Sequence, residues 1–186
     1  MINFRHDWNN HMIVMQELFE QGKYEEAKKY FESFPVAKKS KNKKLLTGNE
    51  TVDTILAAKA DKFEEYMIDL KFYGSLARIA PMEPVDICIL FSNLIDNAME
   101  ELAKIQGNRY FYVSVTESPN MTMIILKNNM SGELVLESNS IKTSKEDALN
   151  HGIGLQNVKE IVSKYNGEYT IETKNREFVI KVILPM

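Results

Sequence analysis

The sequence predicts an α+β fold, in which an N-terminal helical hairpin is followed by a two-layer α/β sandwich. Three observations lead to this prediction. Apolar residues recur at spacings of three and four over residues 2–34, which is the periodicity of amphipathic helices. A lysine-rich stretch then interrupts the apolar pattern at residues 38–44. Beyond it, strand-like alternation and helix-like periodicity are interleaved, as in one sheet that carries helices on one face.

The first two helices form the predicted hairpin. The first helix runs to about Glu20, and Gly22 suits the end of a helix. The second runs from about Tyr24 to Phe34, because Pro35 cannot continue a helix. A hairpin of this size buries little surface alone, so we expect two copies to pair into a four-helix bundle. The apolar stripe of the first helix consists of Phe4, Trp8, Met12, Met15, Leu18 and Phe19.

The lysine-rich stretch is the best candidate for a domain boundary. It holds five lysines between Lys38 and Lys44. We favour a solvated linker over a nucleic-acid or lipid contact for such a run. The sequence therefore predicts a hairpin domain at residues 1–37, a linker at residues 38–48 and a second domain at residues 49–186.

The second domain alternates between helical and strand patterns. Residues 130–150 are polar and show no strong periodicity, so we expect a long functional loop there. The predicted elements are a helix at 51–65, a strand at 67–73, a long helix at 84–105, strands at 110–117 and 122–127, a helix at 154–165, and a terminal hairpin of strands at 169–173 and 178–184.

Composition restricts the class of protein. Of 186 residues, 44% are hydrophobic and 26% are charged, which is typical of a globular chain. A formal net charge of −3 gives no strong attraction to nucleic acid. No apolar run approaches the roughly 20 residues needed to span a bilayer, and no signal peptide is visible. The single cysteine, Cys88, fits a reducing compartment, and its apolar neighbours predict a buried thiol. We therefore expect a cytoplasmic location.

Two asparagines on the long helix are the first candidate site. Asn93 and Asn97 are four residues apart, so they lie on one helical face. Side-chain amides offer oxygen to a hard cation and N–H groups to phosphate oxygens. Mg²⁺ prefers a few protein oxygens together with nucleotide phosphates. Taken alone, the pair fits two exposed asparagines that contact only water at least as well.

A glycine turn before the next helix is the second candidate. Gly152 and Gly154 would let main-chain N–H groups approach a phosphate at a helix N-terminus. The preceding polar loop carries Lys142, which would meet phosphates if the loop closed over a nucleotide. We interpret His151 as a capping or loop residue rather than a nucleophile. A single Gly-x-Gly before a helix is weak evidence by itself.

The ordered combination of these motifs is more specific. The segment 91–101, FSNLIDNAMEE, resembles the N box of the ATPase superfamily of gyrases, heat-shock chaperones, histidine kinases and mismatch-repair proteins. The segment 151–155, HGIGL, resembles its distal glycine box, and the ending FVIKVILP resembles the closing strand of kinase catalytic domains. The resemblance implies an ATP-binding domain of the Bergerat type with bound ATP and Mg²⁺. It assigns the metal and phosphates to Asn93 and Asn97. It assigns further nucleotide contacts to Asn128, Lys142, His151, Gly152, Gly154 and Leu155.

The N-terminal segment narrows the resemblance. FRHDWNNH, residues 4–11, is similar to the phosphoacceptor motif of accessory-gene-regulator-type and citrate-type sensor histidine kinases, and GKYEEA matches their hairpin turn. The similarity implies that His6 accepts phosphate. Asp7 would orient the imidazole and accept its proton, and Asn10 would position the water that hydrolyses a partner's phospho-aspartate. His11 is a rival acceptor that we favour less, because no acidic residue follows it.

Two positions depart from the family pattern. Asn128 replaces the aspartate that accepts a hydrogen bond from the adenine amino group, and Glu100 stands where many kinases place a phosphate-contacting lysine. An asparagine carbonyl still accepts that bond, but losing the charge weakens it by about 1 kcal/mol, or roughly fivefold in affinity. We therefore predict weak, near-millimolar nucleotide binding.

The predicted function is an ATP-dependent histidine autokinase. It would be the cytoplasmic part of a membrane-bound two-component sensor, a homodimer that passes phosphate to the receiver domain of a response regulator. One alternative is a phosphotransferase of a phosphorelay with a degenerate ATP domain. Another is an ATPase or chaperone module of the same superfamily, which would leave the histidine motif unexplained.

Overall fold

The computed structural model describes residues 4–34, 46–79, 81–131, 136–137, 140–141 and 148–186. The side chains of residues 4–6 and of the described residues between 136 and 153 lie outside that description. So does the lysine-rich segment 38–44, for which a linker was predicted. The chain divides into two compact units, residues 1–39 and 40–186.

The first unit contains two helices, α1 (Phe4–Glu20) and α2 (Tyr24–Glu32). Gly22 ends α1 with a φ of +70°, a conformation that glycine adopts without strain. The N–H of Lys23 donates to the carbonyl of Leu18 at 2.9 Å, which closes the helix end. On the inner side of the turn Ala27 is buried, and near the open end the rings of Trp8 and Phe34 lie 6.3 Å apart. The predicted helix end at Gly22 is confirmed.

The hairpin leaves many large apolar side chains exposed. Between 40% and 64% of their surface is accessible, so this unit does not bury them within itself. They are Trp8, Ile13, Val14, Phe19, Tyr24 and Phe31.

The second unit is a mixed sheet with helices. Its elements are α3 (Glu50–Glu65), β1 (Ile68–Tyr73), α4 (Pro84–Ala103), β2 (Arg109–Ser118), β3 (Met121–Asn129), β4 (Leu136–Glu137), β5 (Ser140–Ile141), α5 (Ala148–Lys164), β6 (Glu168–Lys174) and β7 (Glu177–Pro185). Five strands form one sheet in the order β1-β2-β3-β7-β6, while β4 and β5 pair separately. β1 is parallel to β2, and the other pairs in the sheet are antiparallel.

The core lies between one face of this sheet and the three helices. Buried and half-buried residues alternate along β3 and β7, so each strand turns one side to the core. Phe111 of β2, Ile124 of β3 and Val182 of β7 are fully buried and share one apolar cluster with Leu90 and Leu94 of α4. This arrangement confirms the predicted α+β class with helices over one side of a sheet.

Arg109 fixes the point at which two helices end. Its Nε donates to the carbonyl of Leu102 at 2.8 Å, and its Nη1 donates to the carbonyl of Tyr66 at 2.7 Å. Its Nη2 donates to the carbonyl of Ile105. These carbonyls lie at the C-terminal ends of α4 and α3, where helices leave acceptors without partners. One guanidinium therefore caps both helices and stops α4 at Ala103.

The structure corrects three predictions. The segment 130–150 is not wholly a loop, because it contains β4, β5 and the start of α5. α5 begins at Ala148 rather than Gly154, since alanine and leucine at 148–149 are strong helix formers. Cys88 is exposed, not buried, because an apolar run in a helix also covers its outer side.

No helix among the described residues is long and apolar enough to cross a membrane.

Candidate functional site

The asparagine pair and the second glycine come together across two helices. A Cβ atom on Gly154 of α5 would lie 3.2 Å from Oδ1 of Asn93 and 3.3 Å from Oδ1 of Asn97, both on α4. Any side chain at this position would press against both amides. Glycine therefore lets α5 approach α4 closely, and the two amide oxygens lie together beside it. These three residues, predicted from separate motifs, form one constellation.

The two amides differ in their hydrogen bonds. Nδ2 of Asn93 donates to the carbonyl of Ile89 at 2.7 Å, one turn earlier in the same helix. Nδ2 of Asn97 is buried and has no hydrogen-bond partner among the described residues. A buried donor without a partner costs about 1–3 kcal/mol. The unused N–H of Asn97 and the two amide oxygens fit a phosphate group accompanied by a hard cation.

Acidic, histidine and cysteine side chains do not supply a rival metal site in the described part of the chain. Within it, no three of them lie close enough together to hold an ion. The assignment of Mg²⁺ to Asn93 and Asn97 stays a prediction.

The rest of the predicted glycine motif lies in the first turns of α5. Gly152 and His151 are helical rather than part of a turn before the helix, which corrects the prediction. The side chain of His151 and all of Lys142 lie outside the described residues. Leu155 is half-buried and packs against the core, so it anchors the start of α5 beside Gly154.

Asn128 occupies the predicted adenine-reading position near the end of β3. Only 3% of it is exposed, and its neighbours in the sheet are Phe111 of β2 and Phe178 of β7. Its Nδ2 donates to the carbonyl of Asn129 at 3.0 Å. That bond uses one of the two N–H groups of the side-chain amide. The side-chain oxygen is the atom that Asn128 can offer as an acceptor.

Glu101 links the end of β3 to the asparagine helix, and sequence reasoning gave it no role. One carboxylate oxygen accepts hydrogen bonds from the main-chain N–H of Ser131 at 2.8 Å and from its hydroxyl at 2.7 Å. Burial raises the pKa of Glu101, but the bonds from Ser131 and the charge of Lys104 outweigh burial, so its pKa is lowered. The carboxylate therefore stays ionised. Because Glu101 lies on α4 four residues after Asn97, it attaches Ser131 to the asparagine helix.

A second unpredicted cluster, which we call the staple, joins the N-terminal end of α4 to the C-terminal end of α5. It consists of Asp86, Lys164 and Tyr165. One oxygen of Asp86 accepts from Nζ of Lys164 and from the hydroxyl of Tyr165, each at 2.6 Å. The bond from Lys164, followed by that from Tyr165, lowers the pKa of Asp86. The same contact raises the pKa of Lys164.

A groove lies between the staple and the asparagine pair. Its volume is about 380 Å³, and its walls come from both α4 and α5. Cys88 and Asn93 line it from α4, and Asn157 and Glu160 line it from α5. The groove thus separates the two places where the helices are attached to each other.

The predicted phosphoacceptor residues lie on α1. His6 is in its first turn, with a side chain outside the described residues, and Asp7 and Asn10 are exposed. The rival, His11, is half-buried: its Nδ1 lies 2.8 Å from the hydroxyl of Tyr30 on α2. Its ring also stands edge-on to Phe34 at 4.8 Å. His11 is therefore a packing residue of the hairpin.

The sequence matches one family profile, described as the GHKL domain, over residues 82–185. That range runs from just before α4 to the end of β7 and includes Asn93, Asn97, Asn128 and Gly154. No curated protein matches the chain significantly.

Several solved histidine kinases share the fold. The nucleotide-free catalytic domain of histidine kinase ThkA is 17% identical with a TM-score of 0.57, covering 75% of this chain and 95% of that domain. Histidine kinase AdeS from Acinetobacter baumannii is 13% identical with a TM-score of 0.54, covering 97% and 98% of the two chains. The histidine kinase domain of a blue-light-activated histidine kinase from Erythrobacter litoralis is 8% identical with a TM-score of 0.50, covering 79% and 66%. At these identities the likeness shows the fold alone.

Proposed function

Because the chain belongs to the GHKL domain family, we propose that it is an ATP-dependent histidine autokinase, the cytoplasmic core of a two-component sensor. One observation carries the proposal. Gly154 closes against Asn93 and Asn97 and leaves a buried N–H of Asn97 without a partner. A site of this kind suits the phosphate end of Mg·ATP, which GHKL domains typically bind.

Each residue has a distinct part in nucleotide binding. Asn93 and Asn97 hold the cation through their amide oxygens, and Nδ2 of Asn97 donates to a phosphate oxygen. The side-chain oxygen of Asn128 accepts a hydrogen bond from the adenine amino group. A Mg²⁺ held by these residues would supply positive charge to the phosphate oxygens during transfer. The missing charge on Asn128 keeps the affinity low.

The transfer step uses the N-terminal helix. An imidazole nitrogen of His6 attacks the γ-phosphorus of ATP, a P–N bond forms, and the bond from phosphorus to the leaving oxygen of ADP breaks. Asp7 orients the ring and accepts its proton. The phosphoryl group then passes from His6 to an aspartate on a response regulator. In a separate reaction, Asn10 positions the water that hydrolyses the regulator's phospho-aspartate and releases phosphate.

Two features of the hairpin support this assignment. The first is that His11 is packed between α1 and α2, whereas Asp7 and Asn10 of the motif are exposed. The second is the exposed apolar surface of the hairpin, which favours pairing of two copies. We therefore propose a homodimer held by the hairpins; membership of the accessory-gene-regulator-type and citrate-type branch is proposed on the resemblance of residues 4–11 alone.

Labelled phosphate tests the proposal. The full chain is incubated with γ-labelled ATP and Mg²⁺, and protein-bound label is measured after acid and after base. We expect base-stable, acid-labile label on the wild type and on His11→Gln, and none on His6→Gln or Asn97→Ala. Label that survives His6→Gln contradicts the assignment of the acceptor. Absence of label, combined with phosphate uptake from a phosphorylated regulator, would instead indicate the phosphorelay alternative.

A further inference from the structure

We propose that Asp86 and Tyr165 are positioning residues for the nucleotide site. They fix one end of the α4–α5 pair and thereby set the separation that Gly154, Asn93 and Asn97 require at the other end. This inference rests on the proposed function, because it concerns how the same site is held open.

The staple has the geometry of a rigid attachment. The side chain of Asp86 is only 6% exposed, and its Oδ2 accepts from Nζ of Lys164 at 2.6 Å. Tyr165 joins two parts of the α4 start, because its hydroxyl donates to Asp86 at 2.6 Å and accepts from the N–H of Glu83 at 2.9 Å. A buried carboxylate is costly without its donors. Lys164 and Tyr165 therefore stay on Asp86 and hold the end of α5 against the first turn of α4.

The two attachments are separated by similar numbers of residues on both helices. On α4, Asn93 and Asn97 follow Asp86 by 7 and 11 residues. On α5, Gly154 precedes Lys164 and Tyr165 by 10 and 11 residues. At 1.5 Å per residue, each helix therefore spans about 10–17 Å between its attachments. The two helices run antiparallel, side by side, and a shift at one end is carried to the other.

Between the attachments the helices pack together on the side of the sheet, where Leu90 and Leu94 of α4 share the core with Val158 and Val162 of α5; on the opposite side a groove separates them. The groove of about 380 Å³ occupies this interval, with Cys88 and Ile89 on one side and Asn157 and Ile161 on the other. Side chains across an open groove do not interlock, so on the groove side the spacing of the helices depends on their two ends. At the end that holds Gly154, the helices tolerate only a small change in their spacing, since a Cβ on Gly154 would already press on both amides.

The second unit offers a matched control. On the other face of the sheet, the hydroxyl of Tyr112 donates to Asp69 at 3.0 Å, and Nζ of Lys71 lies 2.9 Å from the same oxygen. This cluster repeats the Tyr–Asp–Lys chemistry of the staple without touching α4 or α5. Tyr112→Phe therefore removes a comparable hydroxyl and leaves the helix pair intact.

The test is a double-mutant cycle on nucleotide affinity. The dissociation constant of a non-hydrolysable ATP analogue with Mg²⁺ is measured for Tyr165→Phe, Gly154→Ala and the double variant, and for the same cycle built with Tyr112→Phe. Asp86→Asn is a second staple variant. Circular dichroism and thermal melting establish that each variant is folded at the titration temperature.

We expect Tyr165→Phe and Asp86→Asn each to weaken binding by about three- to tenfold, because the first removes a hydrogen bond to a charged group and the second removes the charge itself. The double variant Tyr165→Phe/Gly154→Ala should bind more tightly than the product of the single effects predicts, because a loosened helix pair accommodates the added methyl group. Sites more than about 10 Å apart ordinarily give additive effects, and the cycle with Tyr112→Phe should do so.

Additive effects in the Tyr165 cycle, or unchanged affinity in folded Tyr165→Phe and Asp86→Asn, would overturn the positioning role while leaving the proposed function intact. If the wild type binds no nucleotide, the proposed function fails and the positioning role fails with it. A purely structural role of the staple would lower the melting temperature without coupling to Gly154.

Discussion

Gly154→Ala separates helix stability from nucleotide binding. The substitution adds one methyl group at a helical position, where alanine is favoured over glycine by about 1 kcal/mol. The added Cβ would lie 3.2 Å and 3.3 Å from the side-chain oxygens of Asn93 and Asn97, which is tighter than ordinary contact. Those amides must move by a few tenths of an ångström, because they are the flexible partners in this contact.

The gain in helix propensity and the tight contact have opposite signs for stability, and only the contact affects binding. Overpacking costs about 1–3 kcal/mol in a well-packed core and less at a half-buried site. We therefore expect the free energy of unfolding to change by no more than about 1 kcal/mol, since the helix gain offsets the contact. Binding has no such compensation, because the methyl group occupies the surface that the phosphate and cation need. We expect affinity for Mg·ATP to fall about tenfold or more, the equivalent of 1.4 kcal/mol.

Isothermal titration with the ATP analogue and urea unfolding measure both quantities on the same preparation. Gln156→Ala is the control, because it places alanine two residues further along α5 and removes only an exposed hydrogen bond to Glu160. It should alter neither quantity appreciably. Unchanged affinity in Gly154→Ala would refute the assignment of the Gly154 surface to the nucleotide. A loss of affinity explained by unfolding alone would refute the reasoning about the helix gain.

Three further predictions concern other parts of the second unit. Asn128→Asp should strengthen ATP binding by roughly fivefold in titration, because a charged acceptor replaces a neutral one; unchanged affinity would contradict the adenine contact. Arg109→Met should lower the free energy of unfolding in urea by about 2–3 kcal/mol, since it uncaps two helices; a loss below half a kilocalorie would contradict the capping role. The lowered pKa of Asp86 means that its stabilising contribution is complete above its unfolded pKa of about 3.9 and is lost as the pH falls through the lower folded pKa. Between pH 5 and pH 2, the wild type should therefore lose stability more steeply than Asp86→Asn, and parallel curves would contradict this.

The motifs could be predicted from sequence because each is local. Asn93 and Asn97 share a helical face by their spacing alone, and Gly22 ends α1 by its conformational freedom. Family resemblance implies that Gly154 and both asparagines serve one ATP site, but their direct contact is visible only in the fold. The sequence pattern predicts the start of α5 too late, because its glycines suggest a boundary where Ala148 and its neighbour extend the helix.

The unpredicted residues act over long sequence separations. Asp86 meets Lys164 and Tyr165 nearly 80 residues later, and Arg109 reaches back to the carbonyl of Tyr66. No periodicity relates such positions, since they meet only once the helices are packed on the sheet. Cys88 was misplaced for a related reason: an apolar run does not reveal which side of a helix faces solvent.

The strand order has a consequence for folding on the ribosome. β7 lies between β3 and β6, so the last strand in the chain is an inner strand of the sheet. Until residues 177–185 leave the exit tunnel, β3 has an unpaired edge and β6 has no partner in the sheet. The sheet therefore cannot be completed until β7 has been synthesised. If the ribosome stalls before Glu177, the apolar edge of β3 stays exposed, and such an edge promotes aggregation.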